Sequence, residues 1–249
     1  MITVAQVSDV HVGTSARNED RAARLFARLA QLARPLDAVL VTGDIVDHGR
    51  PEEYERVRAL VSTLPFPVFT CPGNHDERGA YARVLLGEEK GAGDGPINRV
   101  HTAGGAVFAL CDSTIPGEPG GYLADETLAW LDRALTGAPA GAPVFVCFHH
   151  PPTVLHIPYL DGMRQSGGER LAEVLGRHGN VVALLAGHAH TPAATTFAGL
   201  PLLICPSVIS TALLPWEGDA VIDDQAPAAL AFHVLDDERR LTTHFRMVL

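Results

Sequence analysis

Residues 38–49, Ala-Val-Leu-Val-Thr-Gly-Asp-Ile-Val-Asp-His-Gly, decide how this chain folds. Ala38 to Val41 is an apolar run of strand character, and Gly43-Asp44 breaks it where the chain must leave a sheet. Asp44 therefore stands at a strand's carboxyl end, which is where open α/β sheets place their ligands. Its carboxylate has two oxygens and can bridge two cations, so the other strand ends become the places to look for metal ligands.

Working outward, the same pattern recurs. Upstream, the strand Ile2 to Val7 ends in Ser8-Asp9-Val10-His11, and a helix over Glu19 to Ala33 shows Leu25, Leu29 and Leu32 on one face before Pro35 stops it. Downstream, Pro51-Glu52-Glu53 opens a helix running to about Ser62, with proline early and acids in the first turn. A strand over Pro65 to Thr70 then delivers Cys71-Pro72-Gly73-Asn74-His75-Asp76. This strand-helix-strand-helix-strand series implies right-handed crossovers and parallel strands. A short helix over Glu77 to Leu86 and a flexible glycine-rich stretch over Gly87 to Pro96 follow. Strands at Asn98 to Thr102 and Ala106 to Cys111 flank the hairpin signal Gly104-Gly105. A helix over Asp125 to Leu135 precedes the strand Val144 to Phe148, which delivers His149-His150-Pro151-Pro152. After a long loop, Thr153 to Ser166, come a helix over Glu169 to His178 and a strand over Val181 to Ala186 ending in Gly187-His188-Ala189-His190. The remaining strands are Ala193 to Phe197, Leu202 to Cys205, Ala228 to Leu235 and Leu241 to Val248, the last two flanking a turn at Asp236-Asp237-Glu238.

The 249 residues suit one domain over 1–249, and 47% hydrophobic with 19% charged residues is the composition of a folded soluble chain. A formal charge of -10 with no Lys/Arg run speaks against nucleic-acid partners. A phosphate substrate would then need local positive charge, which metal ions supply. No apolar run reaches membrane-spanning length and the amino terminus enters a strand without a leader pattern, so the expectation is a cytoplasmic protein with no membrane partner. Cys71, Cys111, Cys147 and Cys205 lie in or just after apolar runs without paired spacing, which reads as buried, reduced thiols.

Five strand ends carry metal-ligand residue types: Asp9 with His11, Asp44, Asn74 with His75, His149 with His150, and His188 with His190. Three oxygen donors with a set of imidazoles suit Zn, Mn or Fe better than Ca or Mg. Each element alone has an ordinary explanation: Asp-x-His as a turn, Asn-His as an Asx turn, a strand-end His as a structural side chain. Gly-His-x-His is stronger, because alternate residues in an extended segment project to one side. Five coincidences at strand carboxyl ends point to one constellation.

Asp9-Val10-His11, Gly43-Asp44, Gly73-Asn74-His75-Asp76, His149 and Gly187-His188-Ala189-His190 resemble, in order and approximate spacing, the motif set of the calcineurin-like metallophosphoesterases. Residues 43–49 with Tyr54, and His149-His150-Pro151-Pro152, further resemble bacterial class III cyclic-nucleotide phosphodiesterases and the related glycerophosphodiesterases. The resemblance implies a four-layer α/β/β/α sandwich, two mixed sheets with helices on their outer faces. It also implies two divalent metal ions, Mn, Fe or Zn. One would be held by Asp9, His11, Asp44 and His190, the other by Asp44, Asn74, His149 and His188, with Asp44 bridging. Between His149 and His150 the family pattern favours the first. His75 would sit beside the ions as a catalytic group, hydrogen-bonding a phosphoryl oxygen or protonating the leaving alkoxide; orienting Asp44 or Asp76 is its structural alternative. Asp47, His48 and Asp76 are placed to orient ligand imidazoles or simply to face solvent.

The implied activity is metal-dependent hydrolysis of a small phosphodiester, with 3′,5′-cyclic AMP leading and a glycerophosphodiester or a phosphomonoester as alternatives. A non-catalytic protein-binding scaffold on the same fold is a further alternative, against which the complete ligand set counts. Loops Gly13 to Asn18, Thr153 to Ser166 and Ser207 to Gly218 are expected to wall the pocket. Arg17, Asn18, His156 and Arg164 are possible substrate contacts and Tyr159 and Trp216 possible nucleobase platforms, against the plainer readings of solvated or loop-packing side chains. Monomer or simple dimer is the expected state.

Overall fold

Two mixed sheets stack face to face, and the period-2 alternation of their strands explains why each has a helix-covered side and a sheet-covered side. The computed structural model describes residues 1–88 and 95–249, so residues 89–94 of the glycine-rich stretch lie outside it. The first half contains β1 (Ile2–Val7), α1 (Ala16–Ala30), β2 (Ala38–Thr42), α2 (Pro51–Val61), β3 (Val68–Cys71) and α3 (Arg78–Ala80), the last running on as a π-helical turn, Tyr81–Leu85. Then come β4 (Arg99–Ala103), β5 (Ala106–Leu110), β6 (Gly121–Tyr122), α4 (Asp125–Thr136), β7 (Val144–Cys147), α5 (Pro158–Asp161), β8 (Gln165–Ser166), α6 (Gly168–Leu175) and β9 (Val181–Ala186). The chain ends with β10 (Ala193–Phe197), β11 (Leu200–Ile204), β12 (Thr211–Ala212), β13 (Ile222–Asp223), β14 (Ala228–Leu235) and β15 (Leu241–Val248).

The first sheet has the order β15-β14-β1-β2-β3 and the second β10-β11-β9-β7-β5-β4. In each, the strands that lead to the motif residues run parallel: β1, β2 and β3 in one, β7 and β9 in the other. Val4, Ala38, Leu40, Phe69, Phe108, Leu110, Phe145 and Leu185 fill the space between the sheets. The opposite faces pack separately. Ala5, Val7, Val39 and Val41 meet Leu25, Phe26 and Leu29 of α1 and Tyr54 and Val57 of α2. Val107, Val144 and Leu184 meet Leu128 and Leu131 of α4 and Leu171 of α6. The expected sandwich is therefore present, and it leaves the carboxyl ends of five strands open at one rim.

Several expected boundaries shift by a few residues, three of them with a clear local cause. Helix α1 starts three residues earlier than Glu19, because the Ser15 hydroxyl accepts the Asn18 amide at 3.2 Å and caps it there. The Thr153–Ser166 loop contains a helical turn opened by Pro158, and its end pairs with Gly121–Tyr122. Strand β3 begins only at Val68, since Pro65 and Pro67 have no amide to donate to a ladder.

His233 on β14 is a polar residue between the sheets, 1% exposed. Its Nε2–H donates to Gln6 Oε1 at 2.9 Å and its Nδ1 accepts from the Thr243 hydroxyl at 2.9 Å, so the ring is satisfied in its neutral form. Burial pushes its pKa down to about 3. The unfolded chain, with an ordinary value of about 6.5, binds this proton first on acidification, so stability contributed by neutral His233 is full above pH 6.5 and declines as pH falls toward 3. Two units into that window the loss is about 2–3 kcal/mol from this one group. Urea unfolding of metal-stripped protein should therefore show a shallower decline between pH 6.5 and 4.5 for His233→Gln than for the parent; identical slopes would refute the assignment.

Candidate metal centre

The loops after β1 and β2 zip together at the rim. Asp9 N donates to Gly43 O at 3.1 Å, Val10 N and His11 N to Asp44 O at 2.9 and 3.0 Å, and Val12 N to Ile45 O at 3.2 Å. This ladder sets Asp9 and His11 beside Asp44. Asp9, His11, Asp44, His188 and His190 all have positive φ, between 46° and 67°. A non-glycine residue held there costs about 1–3 kcal/mol, so the surrounding bonds hold these five side chains against local preference.

All seven residues expected as metal ligands converge. Asp44 Oδ1 accepts the His75 amide at 2.9 Å, which leaves Oδ2 facing two imidazoles: His11 Nε2 at 3.5 Å and His149 Nε2 at 3.3 Å. His190 Nε2 lies 3.4 Å from Asp9 Oδ1 and 3.3 Å from His11 Nε2. The Asp9 carboxylate also accepts the His188 amide, at 3.2 and 3.1 Å. Ligand atoms fall into groups within 4.8 Å of one another: Asp9, His11 and His190; Asp9, Asp44 and His149; His149, His150 and His188; and His11, Asp44 and His75.

The far nitrogens of these rings are fixed by partners of which the sequence pointed to only one, Asp47. His149 Nδ1–H donates to Thr42 O at 2.8 Å, and His190 Nδ1 pairs with Ser210 Oγ at 2.7 Å. His11 Nδ1–H donates to Asp47 Oδ1 at 3.0 Å, as expected of Asp47. Such contacts aim the Nε2 lone pairs into the site. His149 Nε2 and His188 Nε2 are buried and without hydrogen-bond partners. Two buried ring nitrogens without hydrogen bonds, one of them 3.3 Å from the Asp44 carboxylate, suit a site built to hold a cation. The donor set therefore fits divalent metal.

His150 differs from His149. Its Nδ1 pairs with Ser113 Oγ at 2.8 Å and its Nε2 with Asn74 Oδ1 at 3.1 Å, so both ring nitrogens are occupied. Asp76 departs from expectation: it touches no ligand imidazole. Its carboxylate takes the amides of Gly73, Ile45 and Val46 and the Tyr54 hydroxyl at 2.8–3.3 Å, which ties the Asp44 and Asn74 loops together. His48 gives its Nδ1–H to buried Glu53 at 2.9 Å instead of to a ligand.

Charge follows burial here. Burial alone would raise the Asp9 and Asp44 carboxyls, but the imidazoles beside them, His190 for Asp9 and His149 for Asp44, hold both below the ordinary range. Burial opposes protonation of His149, yet Asp44 and Asp9 lift it to about 9. Burial and then His149 push His188 down to about 4, keeping it a neutral donor. Two buried carboxylates thus demand positive charge, and a cation answers the same demand. Burial, with Asp44 next, raises Asp76 to about 7.

A cavity of about 250 Å³ opens above these groups, lined by His11, Asp44, Asn74, His75, His188 and His190 and walled by Pro119, Tyr159, Leu160, Met163 and Ile222. Of the three loops expected to wall it, only Thr153–Ser166 contributes. Arg17 bonds Gln225, Arg164 bonds the Asp161 carbonyl, and Trp216 is 74% exposed away from the lining.

Comparison with known proteins agrees with this geometry. A protein from Rhodococcus erythropolis named a probable cyclic nucleotide phosphodiesterase is 35% identical over 216 residues, 84% of this chain and 69% of its own. A glycerophosphodiester phosphodiesterase from Enterobacter lignolyticus is 29% identical over 92% of this chain and 86% of its own. The solved structure of a dimetal phosphatase from Danio rerio superposes with a TM-score of 0.76 at 17% identity, covering 100% of this chain and 96% of that one, and so shares the fold. The sequence profile of the calcineurin-like phosphoesterases matches residues 2–192, a span that runs from β1 through every strand end gathered at the rim, and the chain belongs to that family.

Proposed function

We propose that this protein is a dinuclear-metal phosphodiesterase acting on 3′,5′-cyclic AMP or a closely similar small diester, in a reducing, cytoplasm-like compartment that suits its four buried free cysteines. The observation that carries the substrate reading is the lining of the roughly 250 Å³ cavity: imidazole and carboxylate on the floor, Tyr159, Leu160, Met163, Ile222 and Pro119 on the wall, and, among the described residues, no Lys or Arg in the lining. A monoester's second negative charge finds no guanidinium or ammonium there, whereas a singly charged diester with a flat apolar base finds a wall to lie on. The name of the Rhodococcus relative supports the same reading.

Asp9, His11, Asp44 and His190 would hold one ion and Asp44, Asn74, His149 and His188 the other, with Asp44 Oδ2 between the two sets. Ions held there supply an activated water and a clamp for the phosphoryl oxygens. His75 Nδ1–H donates to the Asp47 carbonyl at 2.9 Å, which fixes the ring, and the half-exposed residue lines the cavity with its Nε2 not used in that bond. Burial works against its protonation, but Asp44 and the Asp47 carbonyl outweigh it and raise its pKa. Lining the cavity beside the residues that would hold the ions, His75 would serve as proton donor to the leaving alkoxide or hydrogen-bond a phosphoryl oxygen. His75→Ala should lower kcat about 10²- to 10⁴-fold with metal content unchanged; loss of metal instead would make His75 structural.

The test is hydrolysis by metal-stripped protein restored with Mn(II), comparing cyclic AMP, a glycerophosphodiester and a chromogenic monoester. Preference for cyclic AMP is expected, and a monoester preference overturns the reading. Tyr159, 60% exposed at the mouth, should act through KM: Tyr159→Ala is expected to raise KM for cyclic AMP by about tenfold, the loss of one base-stacking contact, and to leave the glycerol ester unaffected. Equal effects on both would remove Tyr159 from base recognition. One observation favours the glycerophosphodiester alternative. A second cavity, about 480 Å³, opens on the other side of Asn74 and His75 between Glu77, Arg78 and Thr114 to Gly117, with room for a second alcohol arm.

A further inference from the structure

The residues that would hold each ion come from both sides of the seam between the sheets. Asp9, His11, Asp44 and Asn74 come from the ends of β1, β2 and β3, while His149, His188 and His190 come from β7 and β9. The spacing of the sheets beneath the rim therefore decides whether ligands from the two sides meet at one point.

Gln6 lies at that seam. It follows Ile2 and Val4 on the inward face of β1 and is fully buried. One Nε2–H donates to Thr42 Oγ1 at 2.9 Å and the other to the Ala186 carbonyl of β9 at 3.0 Å, while Oε1 accepts from His233 Nε2 at 2.9 Å. The carbonyl of Ala186 can only accept, so the amide is fixed in this orientation. Thr42 lies two residues before Asp44, and Ala186 two residues before His188. The Thr42 carbonyl in turn accepts His149 Nδ1–H at 2.8 Å. One side chain thus ties the backbone that leads to Asp44, the backbone that leads to His188, and through Thr42 the ring of His149.

We propose that Gln6 is a positioning residue that sets the gap between the two sheets at the metal centre, and that it governs chiefly the ion held by Asp44, Asn74, His149 and His188. This rests on the dinuclear reading. The asymmetry follows from the ligands: that ion takes two from each sheet, and three of its four are tied to Gln6. The other takes three of four from the first sheet alone, where the β1–β2 loop ladder already fixes them.

The experiment is Mn(II) titration of metal-stripped protein by calorimetry, with thermal unfolding in chelator measured alongside. Wild type should take up two equivalents. Gln6→Met keeps length and apolar bulk but removes the hydrogen bonds; one of the two ions, assigned to Asp44, Asn74, His149 and His188, should lose about 10- to 100-fold in affinity, the range for groups that orient ligands, while the other changes little. Thr42→Val should reproduce part of the loss and Thr42→Ser, which retains the hydroxyl, should restore it; these two serve if Gln6→Met does not fold. Wild-type affinity for both ions in Gln6→Met and Thr42→Val would overturn the proposal. So would equal weakening of both ions in step with a lowered melting temperature in chelator, which is the signature of a purely structural tie. Fewer than two equivalents in wild type would overturn the dinuclear reading itself, and this proposal with it.

Discussion

Asp44→Asn should lower kcat on the preferred diester by on the order of 10³-fold, about 4 kcal/mol of transition-state stabilisation, and should reduce bound metal below two equivalents. The reason lies in how its oxygens are used. Oδ1 accepts the His75 amide at 2.9 Å and Oδ2 faces His11 and His149 at 3.5 and 3.3 Å. Asparagine keeps the shape but has only one oxygen. If that oxygen stays on the His75 amide, an NH₂ group points between the ligands, where it cannot bind a cation. If it flips, two donors face each other at His75 and a buried hydrogen bond is lost. The variant also removes a negative charge that burial would otherwise disfavour and that His149 and His11 hold ionised. Metal content by elemental analysis and kcat under saturating Mn(II) check this; two retained ions with turnover within tenfold of wild type would end the bridging role.

Much of this site is legible in the sequence because its signals are local. Gly43-Asp44 and Gly187-His188-Ala189-His190 each sit directly after an apolar run, so strand assignment and ligand assignment come from the same residues. The layers follow likewise: alternation within β1 sends Val4 between the sheets and Val7 toward α1. What escapes is whatever depends on residues distant in sequence. Ser210 on His190, Ser113 on His150 and the Thr42 carbonyl on His149 are 20, 37 and 107 positions from their partners. Nothing in Ser or Thr at those places marks them. Asp76 shows the same limit, for its position beside His75 suggests an imidazole partner while the fold aims it at three amides and Tyr54. Gln6 and His233 did carry a signal, polar side chains inside apolar strands, which says that each must find a partner without saying which.

Gly73→Ala should destabilise the protein by about 3 kcal/mol or more, although it adds one methyl group. A Cβ at Gly73 would lie 2.2 Å from the Asp44 amide nitrogen and 2.3 Å from Asp44 Oδ1. Neither can swing aside. The Asp44 backbone is already at φ 46°, and its carbonyl accepts two amides from the β1 loop. On the other side, Gly73 N is held by Asp76 at 2.8 Å and Gly73 O accepts the Asp76 amide at 3.0 Å, so the alanine cannot retreat either. The strain must then go into the Asp44–Asn74 spacing that the proposed ion held by Asp44, Asn74, His149 and His188 needs. In chelator the melting temperature should fall by about 6–12 °C, taking about 2–4 °C per kcal/mol for a chain of this size. Added Mn(II) should recover less stability than it gives wild type, because binding energy scales with how well the ligands are still placed. Gly179→Ala is the matched control: nothing lies within 4 Å of its Cβ position, and the same substitution there should shift stability by no more than about 0.5 kcal/mol. A Gly73→Ala protein that melts within 2 °C of Gly179→Ala, about one kcal/mol or less, and binds Mn(II) as tightly would show that the two loops are free to part and that their contact does not set the site.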